Sequence, residues 1–223
     1  MWIGAVDNSI SSPGVVKFLL DEKFNIIDKK YIGFAPTSAK KPKKTPPINI
    51  IRYFNAGHDR IQQMIDFSDI IVDFLKECSY VGIENYAFAA KGDITGLAEI
   101  TGMVKRKLFL NNVKVRLYSP GTIKMFATDK GNCNKEYMQK FFFELPIKDR
   151  FDLEKNQMSL EDIVDAFWIC KLLHQEIRLK LGVDKITELK TKRLQNIFTR
   201  KIGKTKSAKS ILDSDYIYKR KSD

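Results

Sequence analysis

The sequence predicts an α/β domain: a mixed five-stranded sheet, three antiparallel strands first and then two parallel ones, flanked by helices and followed by a basic C-terminal extension. Three observations predict it. Strand-like apolar runs crowd residues 2–34 with only short turns between them. Beyond residue 59, helical periodicity alternates with short apolar strand runs. The resulting order, β-β-β-α-β-α-β-α-α, is that of a layered sheet with helices on its faces.

The elements follow in order. Residues 2–7 read as the first strand, ending in Asp7 and followed by small polar residues and Pro13-Gly14. Residues 15–20 and 25–34 read as two more, with Asp21-Glu22-Lys23-Phe24 as the turn of an antiparallel meander. Residues 36–48 hold Pro36, Pro42, Pro46 and Pro47 among Lys40, Lys41, Lys43 and Lys44. Proline blocks regular structure and the lysines repel one another, so this is a loop insertion: a solvated loop, or one that touches nucleic-acid phosphate. Ile61, Met64, Ile65, Ile71, Val72 and Leu75 fall at helical spacing. Residues 80–88 read as a strand carrying Glu84, and about 93–110 as a helix with the small residues Gly96, Ala98 and Gly102. Residues 113–118 are a short strand stopped by Ser119-Pro120-Gly121, and 135–144 a helix with three consecutive phenylalanines. Ser159 is expected to cap the next helix, with Asp162 at the capping-box position. Residues 1–177 are expected to form one domain. From Arg178 onward the chain carries 14 Lys or Arg against five Asp or Glu, so +9 of the net +12 lies there. Leu181 to about Lys201 could continue as helix, and residues 202–223 read as loosely ordered: a solvated tail, or an electrostatic arm.

Composition narrows the class of function. A net charge of +12 on 223 residues favours an anionic polymer or surface as partner. No run approaches the roughly 18 apolar residues of a membrane span, and the N-terminus lacks a basic leader. Cys78, Cys133 and Cys170 are far apart and odd in number, which suggests neither a zinc site nor a disulfide framework, and a reducing, cytoplasmic setting is expected. With only His58 and His174 present, histidine-based metal or triad chemistry is disfavoured.

The acids are more informative. Taken alone, Asp7 reads first as a turn cap, Asp162 as part of a capping box, and Asp165 as the partner of a lysine. Together with Glu84 they make another pattern. Asp162 and Asp165 share one face of a mostly apolar, hence buried, helix. Glu84 lies within a strand, where an unpaired carboxylate is costly. One arrangement makes all four tolerable: a site for Mg²⁺ or Mn²⁺, hard cations that take oxygen ligands. Two such ions about 3.5–4 Å apart can activate a water and stabilise the leaving oxygen in phosphodiester hydrolysis.

These residues carry a resemblance. The chain resembles the RuvC-like Holliday-junction resolvases of the ribonuclease H-like superfamily, in particular forms encoded by bacteriophages. The matching pieces are Ile3-Gly4-Ala5-Val6-Asp7-Asn8-Ser9 with Ser12-Pro13-Gly14, Gly82-Ile83-Glu84-Asn85-Tyr86-Ala87-Phe88 with Lys91-Gly92, Leu97-Ala98-Glu99-Ile100-Thr101-Gly102, Ser119-Pro120 with Lys124, Lys130-Gly131-Asn132-Cys133-Asn134-Lys135, and Asp162-Ile163-Val164-Asp165-Ala166. They stand in family order over roughly residues 1–175.

The resemblance implies a ribonuclease H-like fold and a homodimer that cuts four-way DNA junctions with Mg²⁺ or Mn²⁺. Asp7, Glu84, Asp162 and Asp165 would be the metal ligands, with two ions. Lys124 and Lys135 would lie near the scissile phosphate, where a lysine can neutralise developing charge. Lys91 and Lys130 fall in matching pieces and are expected at the DNA, as are the loop lysines. Tyr86 or Phe88 would stack at the opened junction centre, or else be core aromatics. A family glycine is replaced at Asp129-Lys130-Gly131, and Phe167 stands where some members have histidine. Neither the loop insertion nor the basic tail belongs to the minimal bacterial enzyme, so sequence selectivity is not carried over. The rival readings are a flap or fork nuclease with the same metal site, and a junction-binding protein whose acids are structural. An ATPase of the actin and sugar-kinase group fits poorly, because Asn8-Ser9-Ile10-Ser11-Ser12 lacks its Gly-Thr-rich phosphate loop.

Overall fold

The computed structural model describes residues 1–36, 50–53, 59–85, 93–155, 159–201 and 209–213. Its sheet contains β1 (Trp2–Asp7), β2 (Gly14–Leu20), β3 (Ile26–Pro36), β4 (Ile50–Tyr53), β5 (Cys78–Glu84) and β6 (Lys114–Tyr118), in the order β4-β3-β2-β1-β5-β6. β1, β2 and β3 form the expected antiparallel meander, and β5 and β6 join β1 in parallel. The five expected strands are therefore present with their expected directions. A sixth, β4, adds to the β3 edge in parallel. Four residues beside a Pro/Lys segment are too few for their periodicity to mark a strand.

Period-two alternation divides the strands between two cores. Val6, Val15, Phe34, Val81 and Ile83 face α1 (Arg60–Leu75) and α2 (Ile94–Leu110). Ile3, Ala5, Val16, Phe18 and Tyr80 face α5 (Leu160–Lys180). Helix α5 is apolar nearly all round because it is covered on both sides. The sheet lies beneath it, and α3 (Pro120–Thr128) and α4 (Lys135–Glu144) pack against its outer side. Its few buried polar groups are paired. Glu176 accepts from the Tyr118 hydroxyl at 2.6 Å and from Arg116 Nε at 3.1 Å, with Lys180 Nζ 3.0 Å away. His174 Nε2 donates to the Phe24 carbonyl at 2.7 Å.

Several local expectations are corrected. The run after Ser119 is helix α3, with Pro120 in its first turn and the Ser119 side chain accepting from the Thr122 amide. Ser159 does not cap α5 with its side chain: it sits at φ 59°, and its hydroxyl donates to the Phe34 carbonyl. The chain does not continue as one helix after Leu181. It turns at Gly182, whose φ of 71° suits glycine, and resumes as α6 (Lys192–Thr199). Phe198 of α6 is fully buried and meets Phe126 edge to face at 6.4 Å. Ser210, Ile211 and Leu212 are also buried, and the Leu212 amide donates to the Phe198 carbonyl. These parts of the basic extension are thus packed on the domain. Among the described residues no helix is long and apolar enough to cross a membrane.

Candidate active site

The site forms where β1 and β5 end, under the first turns of α5. Val6 pairs with Ile83 in parallel register, so the next residues, Asp7 and Glu84, lie side by side on the α5 face. Asp7 also pairs with Gly14 of β2. A Cβ on Gly14 would collide with the Asp162 carbonyl, so the missing side chain lets the start of α5 descend onto the strand ends. That approach brings Asp162 and Asp165 over Asp7. The Asp162 carboxylate accepts from Ser12 Oγ at 2.8 Å, which ties the loop after β1 to α5. Gln63 of α1 holds the same loop by donating to the Ile10 carbonyl at 3.2 Å.

Lys135, the first residue of α4, stands before these acids. Its Nζ is 3.3 Å from Asp165 Oδ2 and 3.5 Å from Asp162 Oδ1. The Asn134 side chain fixes the helix start by accepting from the Tyr137 amide. Lys124 comes from α3, and its charge acts on Glu84. The cleft lined by Lys135 and the four acids, about 400 Å³, is also lined by Asn8, Ser9, Leu97 and Thr101.

Burial and mutual repulsion raise all four carboxyl pKa values. Asp7 is held well above the usual range, first by burial and then by Asp165, Glu84 and Asp162. Burial and then Asp165 push Glu84 up to about 7, against the pull of Lys124 and Lys135. Asp165 rises to about 6, again chiefly by burial, and Asp162 rises for the same reason. For Lys135, burial acts downward but is overridden by Asp165, Asp7 and Asp162, so its pKa rises. One partly exposed ammonium therefore faces a cluster of acids that do not readily ionise together.

This donor set fits a hard divalent cation: it consists of oxygen ligands whose repulsion a cation would relieve. The Asn8 amide adds to the fit, since among the described residues its buried Nδ2 and Oδ1 both lack hydrogen-bond partners at the edge of the same cleft. Among the described residues no three acids stand at ready coordination spacing. Lys135 fills the space between Asp162 and Asp165 instead.

The expected site residues thus separate into groups. Asp7, Glu84, Asp162, Asp165 and Lys135 line one cleft, and Lys124 acts on it. Lys130 is exposed, with Nζ 4.8 Å above the Tyr137 ring centre. Tyr86, Phe88, Lys91, Lys40, Lys41, Lys43 and Lys44 lie outside the described residues. Sequence reasoning assigned no role to Ser12, Asn8 or Gly14. Their signal was the loop Asn8-Ser9…Ser12-Pro13-Gly14 directly after the acid, but the contact to Asp162 spans 150 positions. Gly96 does not lie on a free helix face: a Cβ there would strike Arg60, whereas Gly102 has open space above it.

No family model matches the chain, and no curated protein matches it. Solved structures do. Thermus thermophilus RuvC superposes with a TM-score of 0.54 at 16% identity, covering 83% of this chain and 99% of that one. The T. thermophilus RuvC complex with a Holliday junction substrate gives 0.54 at 15% identity, covering 83% and 98%. A fowlpox virus resolvase bound to Holliday junction DNA gives 0.49 at 16%, covering 79% and 99%. The fold is therefore ribonuclease H-like. Within that class the chain superposes on RuvC, and here Asp7 and Glu84 stand at the ends of β1 and β5 while Asp162 and Asp165 stand on α5.

Proposed function

We propose that this protein is a metal-dependent, structure-selective DNA endonuclease that cleaves four-way junctions by phosphodiester hydrolysis. One observation carries the reading: Asp7, Glu84, Asp162 and Asp165 converge from β1, β5 and α5 on one cleft faced by Lys135. The RuvC-like fold supports it, because the similar RuvC has been seen with a Holliday junction substrate. Asp7, Glu84, Asp162 and Asp165 would hold Mg²⁺ or Mn²⁺. Bound there, the metal would supply charge neutralisation and an activated water. The chain's own residues do the rest. Ser12 orients Asp162, and Gly14 seats α5. Lys135 and Lys124 place positive charge where a scissile phosphate would gain negative charge.

A homodimer through the outer face of α2 completes the proposal, since a four-way junction has two symmetric strands to nick. Gly102 is open on that face, and Phe109 (77% exposed) and Leu110 (61%) leave apolar surface near the end of the helix.

The test is cleavage of synthetic four-way, three-way, flap and linear DNA with and without Mg²⁺ or Mn²⁺. Paired nicks in the four-way substrate, lost in Asp7→Asn while binding persists, are expected. Preference for flaps or forks would move the substrate within the same chemistry. Equal cleavage by wild type and Asp7→Asn would remove the site assignment.

A further inference from the structure

A second concave surface lies across α3 from the acid cleft. It is a groove of about 480 Å³ between the first turns of α3 and the outer face of α6. Ser119 and Thr122 line one wall, and Arg193, Asn196, Arg200 and Lys201 line the other. No acid lines it. Neither Arg200 nor Lys201 has an acidic partner among the described residues, and Arg193 reaches Asp129 only at 3.9 Å.

The helix that carries this wall is docked on the domain. Phe198 anchors the inner face of α6 in the core. Thr191 Oγ1 donates to Asp129 Oδ1 at 3.2 Å, and Arg193 Nη1 donates to the Asp129 carbonyl at 3.2 Å. Lys192, Arg193 and Arg200 remain exposed on the outer face. A merely solubilising tail needs none of this docking. A row of cations on a docked helix, above a groove lined in part by hydroxyls, suits a polymer with regularly spaced phosphates.

Position decides which polymer. Helix α3 carries Lys124 toward Glu84 and, two residues earlier, Thr122 into the groove. Met125, which also lines the groove, lies about 100° round the helix from Lys124, so the two surfaces open on different faces of one helix about 10 Å across. One duplex strand advances about 3.4 Å along its axis per nucleotide, so a span of one helix width covers only a few phosphates. We propose that this groove binds the DNA backbone a few phosphates away from the one in the acid cleft. The α6 segment then sets affinity for the substrate arm, without touching the reacting atoms. The inference rests on the nuclease reading for the identity of its partner.

The test compares wild type with the triple variant Arg193→Gln, Arg200→Gln, Lys201→Gln, and with a control triple variant, Lys140→Gln, Lys148→Gln, Lys155→Gln, that removes equal charge elsewhere. Binding to a labelled four-way junction is read by fluorescence anisotropy without divalent metal over a salt series. The groove variant should weaken binding about 10- to 100-fold and lower the slope of log K against log salt by about 2–3. Its single-turnover cleavage rate at saturating protein should stay within about twofold of wild type. In parallel, hydrogen exchange on Asp7→Asn with and without junction should show DNA-dependent protection at residues 192–201, a readout independent of the groove variant's folding. Unchanged affinity and slope, or an equal loss in the control variant, overturns the inference. So does absence of protection in α6. A wild type that binds through this groove but does not cut supports the groove and removes the nuclease reading instead.

Discussion

The Lys135 ammonium lies between two carboxylates, 3.3 Å from Asp165 and 3.5 Å from Asp162. In the absence of metal it is the cation that makes this pair of acids tolerable. A divalent ion entering the cleft must share or displace it. Lys135→Met should therefore bind Mg²⁺ more tightly, read as a lower midpoint for metal-induced thermal stabilisation. It should also cleave about 10²- to 10³-fold more slowly, because the charge facing the phosphate is gone. Parallel loss of metal binding and cleavage would mean that Lys135 serves only to support the acids.

Asp7 is buried and surrounded by acids that repel it. Asp7→Asn removes a carboxyl that burial and neighbouring acids hold well above its usual range, and should raise the Tm of the metal-free protein by a few degrees. The same change should abolish cleavage and the stabilisation that Mg²⁺ gives wild type by mass action. Differential scanning fluorimetry in EDTA and in Mg²⁺ measures both. A variant less stable than wild type in EDTA would contradict the electrostatic account.

Gly14 admits the start of α5 onto the strand ends, and even a methyl group there meets the Asp162 carbonyl. Overpacking of this kind costs about 1–3 kcal/mol. Gly14→Ala should lower Tm and should also reduce cleavage at temperatures where the protein remains folded, because Asp162 and Asp165 are pushed away from Asp7. Ala substitution with full activity would show that α5 can shift without consequence.

Stability against pH has two opposing contributions. His174 is held neutral by burial, its pKa pulled from 6.5 to about 4. The unfolded chain binds that proton more readily, so His174 stabilises the fold fully above pH 6.5 and loses its contribution as pH falls toward 4. Glu84, raised from 4.5 to about 7, and Asp165, raised from 3.8 to about 6, act oppositely in metal-free protein. Their contribution is full below about pH 4 and is lost as pH rises to 7. Urea denaturation in EDTA at pH 4.5, 5.5, 6.5 and 7.5 should show wild type losing stability as pH rises, because Glu84, Asp165, Asp7 and Asp162 together outweigh His174. Glu84→Gln should flatten that fall, and His174→Gln should steepen it. The same profile in all three would refute these assignments.

Much of the fold was legible because it rests on local periodicity. The apolar run ending at Asp7, the meander after it and the alternation of α1, β5, α2 and β6 recur close to where the pattern places them, although β5 runs from Cys78 to Glu84 and so ends on the acid that the pattern put mid-strand. Elements whose stability comes from distant partners were less legible. Helix α3 begins with Pro120-Gly121, which reads as a turn until the helix is seen to pack against α4, α5 and α6. Ser159 looks like a helix cap, but its hydroxyl finds Phe34, 125 positions away. The extension reads as a charge run, and only the buried Phe198, Ile211 and Leu212 reveal that part of it belongs to the core.

The same division holds for the site. The sequence by itself determined the inventory: one carboxylate at the end of the first strand, one on a later strand, two on one face of a buried helix, and lysines at matching positions. Residue type and local spacing suffice for that, because strand and helix periods are set by the backbone. Only the tertiary structure decided that Asp7 and Glu84 stand side by side, that Gly14 admits Asp162 above them, and that Lys135 fills the gap. These relationships join residues up to about 150 positions apart. They depend on register and close packing, which no short stretch of sequence encodes.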